Sequence, residues 1–271
     1  MKKEYNIFAN YIKYINLYNY NVVKMYHNKR TEKGDNKNMF FKKIIYGFYM
    51  IWVRIKGWKH TYILKTKGDA SAGEYLKRTG YLWGQFTLKI IGIELDVQGR
   101  ENIPKEQCVF IGNHSSILDI IILLYTIDKK MGFIAKKEIL KTPIVGYWLK
   151  KSKCVPLDRE NPRAAILAIN EAINNIKEGS SMVIFPEGTR NKEGKVGVFK
   201  KGSLKLATKS KAAIVPVSID RASRAFEDTR QFKPTKIKVV FGKPIETSNL
   251  SKEDETNLAE NIRNIIVSNL E

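Results

Sequence analysis

The sequence predicts an α/β protein in which a mostly parallel or mixed β-sheet is flanked by helices. From about Ile93 onwards, short apolar runs of strand length alternate with longer segments of helical periodicity. This alternation favours parallel pairing, because each helix carries the chain back across the sheet before the next strand begins. The 271 residues, of which 43% are hydrophobic, suffice for one core of ordinary enzyme size.

Seven strands are predicted from apolar runs that polar or turn-forming residues bound on both sides. Pro216, in the sixth run, has no backbone N–H, so we expect it at a sheet edge or at a bulge. The predicted strands are Ile93–Val97, Cys108–Gly112, Gly132–Ala135, Cys154–Leu157, Met182–Phe185, Ile214–Ile219 and Lys236–Phe241.

Five helices are predicted between and after these strands from apolar residues spaced three or four positions apart. Pro162 at the start of the third helix and Gly179 beyond its end are typical of helix boundaries. The predicted helices are Ser116–Ile127, Ile144–Lys151, Pro162–Lys177, Gly202–Lys209 and Lys252–Leu270.

The first 38 residues differ in composition from the rest of the chain. They contain many Asn, Tyr and Lys residues and no sustained apolar period, so we predict a poorly ordered basic extension over residues 1–38. The change of composition at Met39 raises the hypothesis that translation starts there, with Met1 as the alternative.

Residues 39–92 are predicted to form an N-terminal helical segment at an interface. The run from Ile44 to Val53 carries no charge but is shorter than the ~20 residues that a membrane-spanning helix needs. Its aromatic residues and flanking cations favour the headgroup boundary of a membrane. A second stretch, residues 75–90, fits a membrane contact and an ordinary core-packing helix equally well, and core packing remains the alternative for the first stretch too.

The formal net charge of +21 is concentrated in the first hundred residues. Such a field favours an anionic partner, which could be a nucleic acid, an anionic membrane face or a phosphorylated substrate. Cys108 and Cys154 both lie in apolar runs and are interpreted as small buried hydrophobic residues rather than as a disulfide. The three histidines and two cysteines do not have the spacing of zinc ligands, so no metal is expected.

His114 and Asp119 lie where the second predicted strand gives way to a helix. Residues five apart on one continuous helix point to different faces, so the two can meet only if His114 is in the loop and Asp119 in the first turn. An imidazole oriented by a carboxylate is suited to act as a general base near neutral pH. The alternative is a helix cap, in which Ser116 and Asp119 form a capping box without any chemistry.

The segment from Pro186 to Arg190, Pro-Glu-Gly-Thr-Arg, directly follows another predicted strand. It places a carboxylate, a hydroxyl and a guanidinium on one tight loop, and Arg190 could bind a phosphate with two donors. Gly188 allows a ligand to approach the backbone closely. Taken by itself, the segment is better interpreted as a polar turn.

Lys136 and Arg159 each follow a further predicted strand. Ligands of α/β sheets gather beyond the carboxyl ends of the strands, so these two cations could join His114 and Arg190 there, although each alone could be a solvated surface charge. Four segments therefore carry candidate chemistry: Asn113-His114-x4-Asp119, Lys136-x-Glu138 through Pro143 and Gly146 to Asp158-Arg159, Phe185–Arg190, and Ile214–Val217.

These four segments, in this order, resemble the four sequence blocks of the 1-acylglycerol-3-phosphate acyltransferase family over about residues 39–245. The resemblance implies transfer of a fatty acyl group from acyl-CoA or acyl-carrier protein to the sn-2 hydroxyl of lysophosphatidic acid, giving phosphatidic acid for phospholipid synthesis. It also implies an α/β acyltransferase domain over residues 93–271, an N-terminal membrane-surface helical element, and peripheral or monotopic attachment to the cytoplasmic side of the cell membrane. The chain has Pro-Leu-Asp-Arg where many members have Ile-Asp-Arg, a difference from which we expect little consequence.

The resemblance also implies roles for individual residues. His114 would be the base that Asp119 orients, and Arg190 would bind the glycerol phosphate, helped by Lys136 and Arg159. Backbone N–H groups near Glu187 and Gly188, or in the His114 loop, would stabilise the oxyanion. No metal and no cofactor is expected beyond the acyl donor. The residues assigned to substrate contact or to the shape of the loops are Asn113, Glu187, Gly188 and Thr189.

Two alternatives remain open at this point. The acceptor could be a different lysolipid, because related acyltransferases share these blocks. A basic protein without catalytic activity, which binds membranes or nucleic acid, would explain the charge but not the His114–Asp119 pair. No nucleic-acid partner is expected, because no DNA- or RNA-binding motif is present.

Overall fold

The computed structural model of the chain describes residues 35–158, 161–191 and 195–271. The predicted extension therefore lies mostly outside the described residues, as does Arg159. The chain divides at Tyr49 into two units. Of the first unit the structure describes the start of a helix, which begins at Asp35 and thus before the boundary predicted at Met39. The second unit, from Met50 onwards, holds the whole α/β fold.

Helix α1 spans Asp35–Ile91 and is interrupted at Gly68, whose φ of 79° and ψ of 179° are open to glycine alone. Near its end, Leu88 and Ile91 are buried in the core, and Trp83 packs against the same cluster. Core packing thus accounts for much of the second stretch, for which the sequence left membrane contact equally open. Within the described part of the chain, no helix has the length and apolar character needed to cross a membrane.

One seven-stranded mixed sheet forms the centre of the second unit, with the strand order β1-β7-β6-β2-β5-β3-β4. Five neighbouring strands, from β6 to β4, run parallel, whereas β7 is antiparallel to β6 and pairs in parallel with β1 at the far edge. The strands are β1 Ile93–Gln98, β2 Cys108–Gly112, β3 Met131–Lys136, β4 Val155–Leu157, β5 Ser181–Ile184, β6 Ala213–Asp220 and β7 Thr235–Phe241.

Helices cover both faces of the sheet, so that the central strands are buried on both sides. Along β2, Cys108 and Phe110 face a cluster that includes the end of α1 and helix α2, whereas Val109 and Ile111 face the helices α4, α5 and α6. The helices after α1 are α2 Leu118–Thr126, α3 Val145–Leu149, α4 Pro162–Lys177, α5 Lys201–Ser210 and α6 Lys252–Ser268.

Pro216 lies in the interior strand β6 rather than in an edge strand. On the side of β7, β6 pairs at Val217 with Phe241 and, by an isolated bridge, at Ile214 with Ile245. Between these two pairs, β6 has two residues and the segment opposite it has three, residues 242–244. This extra residue makes a bulge. Pro216 accepts a hydrogen bond there through its carbonyl, from the N–H of Gly242 at 2.8 Å. The predicted bulge is confirmed, because the interrupted ladder does not require the N–H that proline lacks.

All seven predicted strands and all five predicted helices are present, with ends that agree to within two residues. The predicted α/β class with a mixed sheet flanked by helices is therefore confirmed. Cys108 and Cys154 are free thiols, the first buried and the second half-buried. Burial raises the pKa of the Cys154 thiol to about 12, which fits its interpretation as a small hydrophobic residue.

Candidate active site

The site lies where β2 and β5 end. These strands are parallel neighbours, with Ile111 opposite Ile184, so their carboxyl ends meet at one edge of the sheet. The chain leaves β2 into the loop that carries His114 and enters α2 at Leu118, and it leaves β5 into the loop that carries Glu187. Two segments more than seventy residues apart in sequence are thereby brought side by side, as ligand sites of α/β proteins require.

His114 and Asp119 form the predicted pair. The Nδ1 atom of His114 lies 2.7 Å from Oδ2 of Asp119, with His114 in the loop and Asp119 in the first turn of α2. Because a carboxylate only accepts, Nδ1 is the donor, and in the neutral imidazole Nε2 then presents a lone pair. No hydrogen-bond partner for Nε2 occurs among the residues that the structure describes. The imidazole is therefore held in the tautomer that a general base needs.

The same carboxylate also caps the start of α2. Oδ2 of Asp119 accepts the backbone N–H groups of Ser115 at 2.8 Å and Ser116 at 2.9 Å, while the Ser116 hydroxyl accepts from the N–H of Leu118. The hydrogen bonds of the capping interpretation are therefore present, and the same buried oxygen also contacts the imidazole of His114. The loop that carries His114 is fixed by the group that orients its side chain.

Phe185 covers one face of the imidazole. The two rings are stacked with their centroids 4.3 Å apart and an interplanar angle of 15°. The side chain of His114 is only 15% exposed, so stacking and the bond to Asp119 together leave it little freedom. The sequence analysis placed Phe185 at the end of a strand and at the start of the Phe185–Arg190 segment, but it assigned the ring no role of its own.

Glu187 joins the two loops. Its Oε1 accepts the backbone N–H of His114 at 2.7 Å, and its Oε2 accepts from the side chain of Asn191 at 2.7 Å and from the N–H of Gly197 at 2.9 Å. The N–H of Asn191 in turn donates to the carbonyl of His114. The carboxyl is buried, and burial raises its pKa above the ordinary value. Glu187 therefore orders the loops, and its oxygens are occupied by protein donors.

Several of the N–H groups predicted to stabilise the oxyanion already have protein acceptors. In the His114 loop, the N–H groups of His114, Ser115 and Ser116 donate to the carboxylates of Glu187 and Asp119, and the N–H of Gly188 donates to the carbonyl of Phe185 at 3.0 Å. Donors that already hold the loops in shape are not available to a tetrahedral intermediate. Gly188 instead makes the turn, with a φ of 72° that favours glycine.

Arg190 points its guanidinium towards a residue that the sequence analysis missed. Its Nη1 donates to Oε1 of Glu227 at 3.2 Å, and the same oxygen accepts the backbone N–H of Ile117 at 2.7 Å. Glu227 lies in an irregular segment after β6, where neither periodicity nor a motif distinguishes it from its neighbours. Only the long-range contact shows that it belongs to this site.

The remaining predicted residues are placed as follows. Both polar atoms of the Asn113 side chain bond the backbone of Ile219, at 2.9 and 2.8 Å, so this amide fastens the loop to β6 and does not face a ligand. Lys136 is exposed, and its ammonium lies 3.7 Å from Glu138. Thr189 is exposed on the loop. In the described ranges, no group of three or more His, Cys, Asp or Glu side chains is placed to hold a metal ion.

Comparisons with known proteins agree with the family resemblance seen in the sequence. The family described as Acyltransferase matches residues 94–220, which include the His114 and Arg190 segments. A 1-acyl-sn-glycerol-3-phosphate acyltransferase of Borreliella burgdorferi is 36% identical over 189 residues, which are 69% of this chain and 76% of that protein. One of Cocos nucifera is 32% identical over 70% of this chain and 62% of its own length.

A solved structure has the same fold. The crystal structure of the 1-acyl-sn-glycerophosphate acyltransferase PlsC from Thermotoga maritima superimposes with a TM-score of 0.73 at 28% sequence identity, covering 86% of this chain and 94% of that one. The resemblance drawn from the four sequence blocks is thereby confirmed. The chain belongs to the 1-acyl-sn-glycerol-3-phosphate acyltransferase family.

Proposed function

We propose that this chain transfers a fatty acyl group from acyl-CoA or acyl-carrier protein to the sn-2 hydroxyl of 1-acylglycerol-3-phosphate, giving phosphatidic acid. The observation that carries the proposal is the 2.7 Å contact between His114 Nδ1 and Asp119 Oδ2, beside a loop that carries a guanidinium. A base directed at a hydroxyl and a cation for a phosphate are the two groups that this acceptor requires.

The proposed acyl transfer follows from the tautomer of His114 in which Nε2 is unprotonated. Nε2 of His114 removes the proton from the acceptor hydroxyl, and the oxygen attacks the thioester carbonyl to form a tetrahedral intermediate. The intermediate collapses to the ester and expels the thiolate of the donor. The imidazolium then gives its proton to this thiolate. Asp119 stabilises the imidazolium and keeps Nε2 aimed at the substrate. The acyl carrier is a substrate, and this direct transfer uses no cofactor.

Arg190 is assigned the phosphate of the acceptor. Its side chain is 42% exposed at the rim of the site, and its planar guanidinium suits bidentate binding of a phosphate. Lys136 is proposed as a second cation that adds to the local positive field, and Arg159 is proposed as a third. Glu187, Gly188 and Thr189 shape the loop that presents Arg190, and Asn113 anchors the loop that presents His114.

The substrate assignment is tested with the purified full chain on vesicles that contain lysophosphatidic acid. Radiolabelled acyl-CoA and acyl-carrier protein are offered separately, and parallel vesicles contain lysophosphatidylcholine or lysophosphatidylethanolamine. We expect phosphatidic acid as the main product. A faster reaction with another lysolipid would assign the enzyme to that acceptor, and no acyl transfer with any pair would favour a basic binding protein without activity.

We further propose that the first half of α1 rests on an anionic membrane surface. In the unit from Met50 on, four apolar side chains of α1 share one helix face by their spacing and are 47–70% exposed: Ile51, Ile55, Trp58 and Tyr62. Lysines at positions 56, 59 and 65 flank them, a combination that suits the headgroup region.

Sedimentation with vesicles tests the membrane proposal. The double variant Ile55→Ser/Trp58→Ser should lose most of its binding to vesicles with anionic lipid. The matched control is Leu167→Ser, which removes a side chain that is 69% exposed on α4. Equal loss in the control, or full binding by the double variant, would contradict the assignment of this face.

A further inference from the structure

Glu227 is a buried acid that no sequence motif explains. Its side chain is 8% exposed, and it contacts the site through one oxygen. That oxygen, Oε1, accepts both the Nη1 group of Arg190 and the N–H of Ile117. The other oxygen, Oε2, is buried without a hydrogen-bond partner among the described residues. A buried charge with one oxygen unsatisfied costs stability, so its presence calls for a role other than stabilising the fold.

The backbone around Glu227 is held firmly in place. The N–H groups of Phe226 and Asp228 both donate to the carbonyl of Ser223 at 3.1 Å, and that of Arg230 donates to the carbonyl of Phe226. The ring of Phe226 stacks on Phe232 with centroids 4.5 Å apart. Glu227 therefore projects from a structured turn, which holds its carboxylate in a defined position beside Arg190.

The two hydrogen-bond partners of Glu227 lie on different loops of the site: one on the loop of Arg190, and the other on the loop of His114. Arg190 is the proposed phosphate-binding residue. Ile117 follows His114 by three positions and immediately precedes α2, which carries Asp119. A single oxygen thus bonds both the guanidinium and the loop of the base. In a glycerol phosphate the spacing between phosphate and hydroxyl is short, so the spacing between Arg190 and His114 decides whether both are reached at once.

We propose that Glu227 is a positioning residue that fixes the guanidinium of Arg190 at the distance from His114 that a glycerol-phosphate acceptor requires. The bond to Glu227 uses Nη1, and the other guanidinium donors are left to bind the phosphate. Because the side chain of Arg190 is long and partly exposed, losing this bond leaves it free to sample other rotamers. This inference rests on the proposed function, since it assigns Glu227 to the acceptor and not to the acyl donor.

Steady-state kinetics in mixed micelles test the assignment with the variants Glu227→Ala and Glu227→Gln. A charged hydrogen bond is stronger than a neutral one, so we expect the KM for lysophosphatidic acid to rise about tenfold in Glu227→Ala and about threefold in Glu227→Gln. The KM for the acyl donor should not change in either variant. The matched control is Asp228→Ala, which removes the exposed neighbouring carboxylate and should behave as the unmodified protein.

A double-mutant cycle with Arg190→Ala separates positioning from a general loss of structure. If Glu227 acts through Arg190, Glu227→Ala should lower kcat/KM for the acceptor in the original protein but hardly at all in the Arg190→Ala background. An equal loss in both backgrounds, or a rise of both KM values together, would overturn the assignment. If Glu227→Ala does not fold, Glu227→Gln is put through the same cycle with the same criterion. Acyl transfer by the unmodified protein in the same assay keeps this outcome distinct from a failure of the proposed function.

Discussion

The carboxylate of Glu187 accepts the backbone N–H of His114 at 2.7 Å, across a gap of seventy-three residues in the sequence. This bond joins the loop after β2 to the loop after β5, which carries Arg190. The proposed base and the proposed phosphate-binding residue therefore belong to one hydrogen-bonded unit. Three carboxylates, those of Asp119, Glu187 and Glu227, each accept at least one backbone N–H group in this unit.

Arg190→Lys tests the proposed phosphate contact. Lysine keeps the charge but loses the planar fork, so the KM for lysophosphatidic acid should rise about tenfold with a smaller change in kcat. Arg224→Lys, at an exposed position near Glu227, serves as the control and should have no effect. An unchanged KM in Arg190→Lys would assign the phosphate to another cation.

Because the pKa of Glu187 is raised, we expect its contribution to the free energy of unfolding to depend on pH. Burial raises the pKa in the folded state, so protonation is easier there than in the unfolded chain. The contribution of this group to the free energy of unfolding is fully present below its ordinary pKa and is lost as the pH rises through the raised one. Glu187→Gln removes this dependence.

The measurement is urea unfolding of both proteins at about pH 4 and about pH 7. The free energy of unfolding of the unmodified protein minus that of Glu187→Gln should be larger at the lower pH. A difference that grows towards neutral pH would show that hydrogen bonds to the carboxylate outweigh its burial.

Two glycines make a matched pair for stability. A Cβ at Gly132, in β3, would collide with the backbone carbonyl of Lys153, whereas one at Gly202, in α5, would meet no atom within 4 Å. We expect Gly132→Ala to lower the free energy of unfolding by about 1–3 kcal/mol and Gly202→Ala to raise it by about 0.5 kcal/mol. Equilibrium unfolding in urea measures both, and a neutral Gly132→Ala would mean that the backbone at Lys153 can move away from Gly132 at no cost.

Local sequence signals were sufficient for the elements of the fold and for the His114–Asp119 pair. The strands around Phe110 and Val215 are short apolar runs between turn residues, and the helix Pro162–Lys177 has both its start and its stop signal in the sequence. The pair was predictable because its two members are five residues apart and the strand before them was clear.

The long-range contacts of the site could not be derived in this way. Glu227 reaches Arg190 and Ile117 only through the path of the chain after β6, and nothing in its neighbourhood marks it. The sequence suggested that N–H groups of the His114 loop are free to bind an oxyanion. It could not show that carboxylates accept them, because one of these carboxylates, that of Glu187, comes from another loop. The strand order, with β7 antiparallel beside β6, depends on non-local pairing that no local pattern contains.

The role proposed for His114 is that of the base, oriented by Asp119, in acyl transfer to lysophosphatidic acid. Its most direct test is the rate of phosphatidic acid formation by His114→Ala, in vesicles with lysophosphatidic acid and the better of the two acyl donors. The rate should fall by about a thousandfold or more, while vesicle binding and the unfolding midpoint stay close to those of the unmodified protein. Phosphatidic acid formation at more than about a tenth of the original rate by this folded, membrane-bound variant would contradict the account.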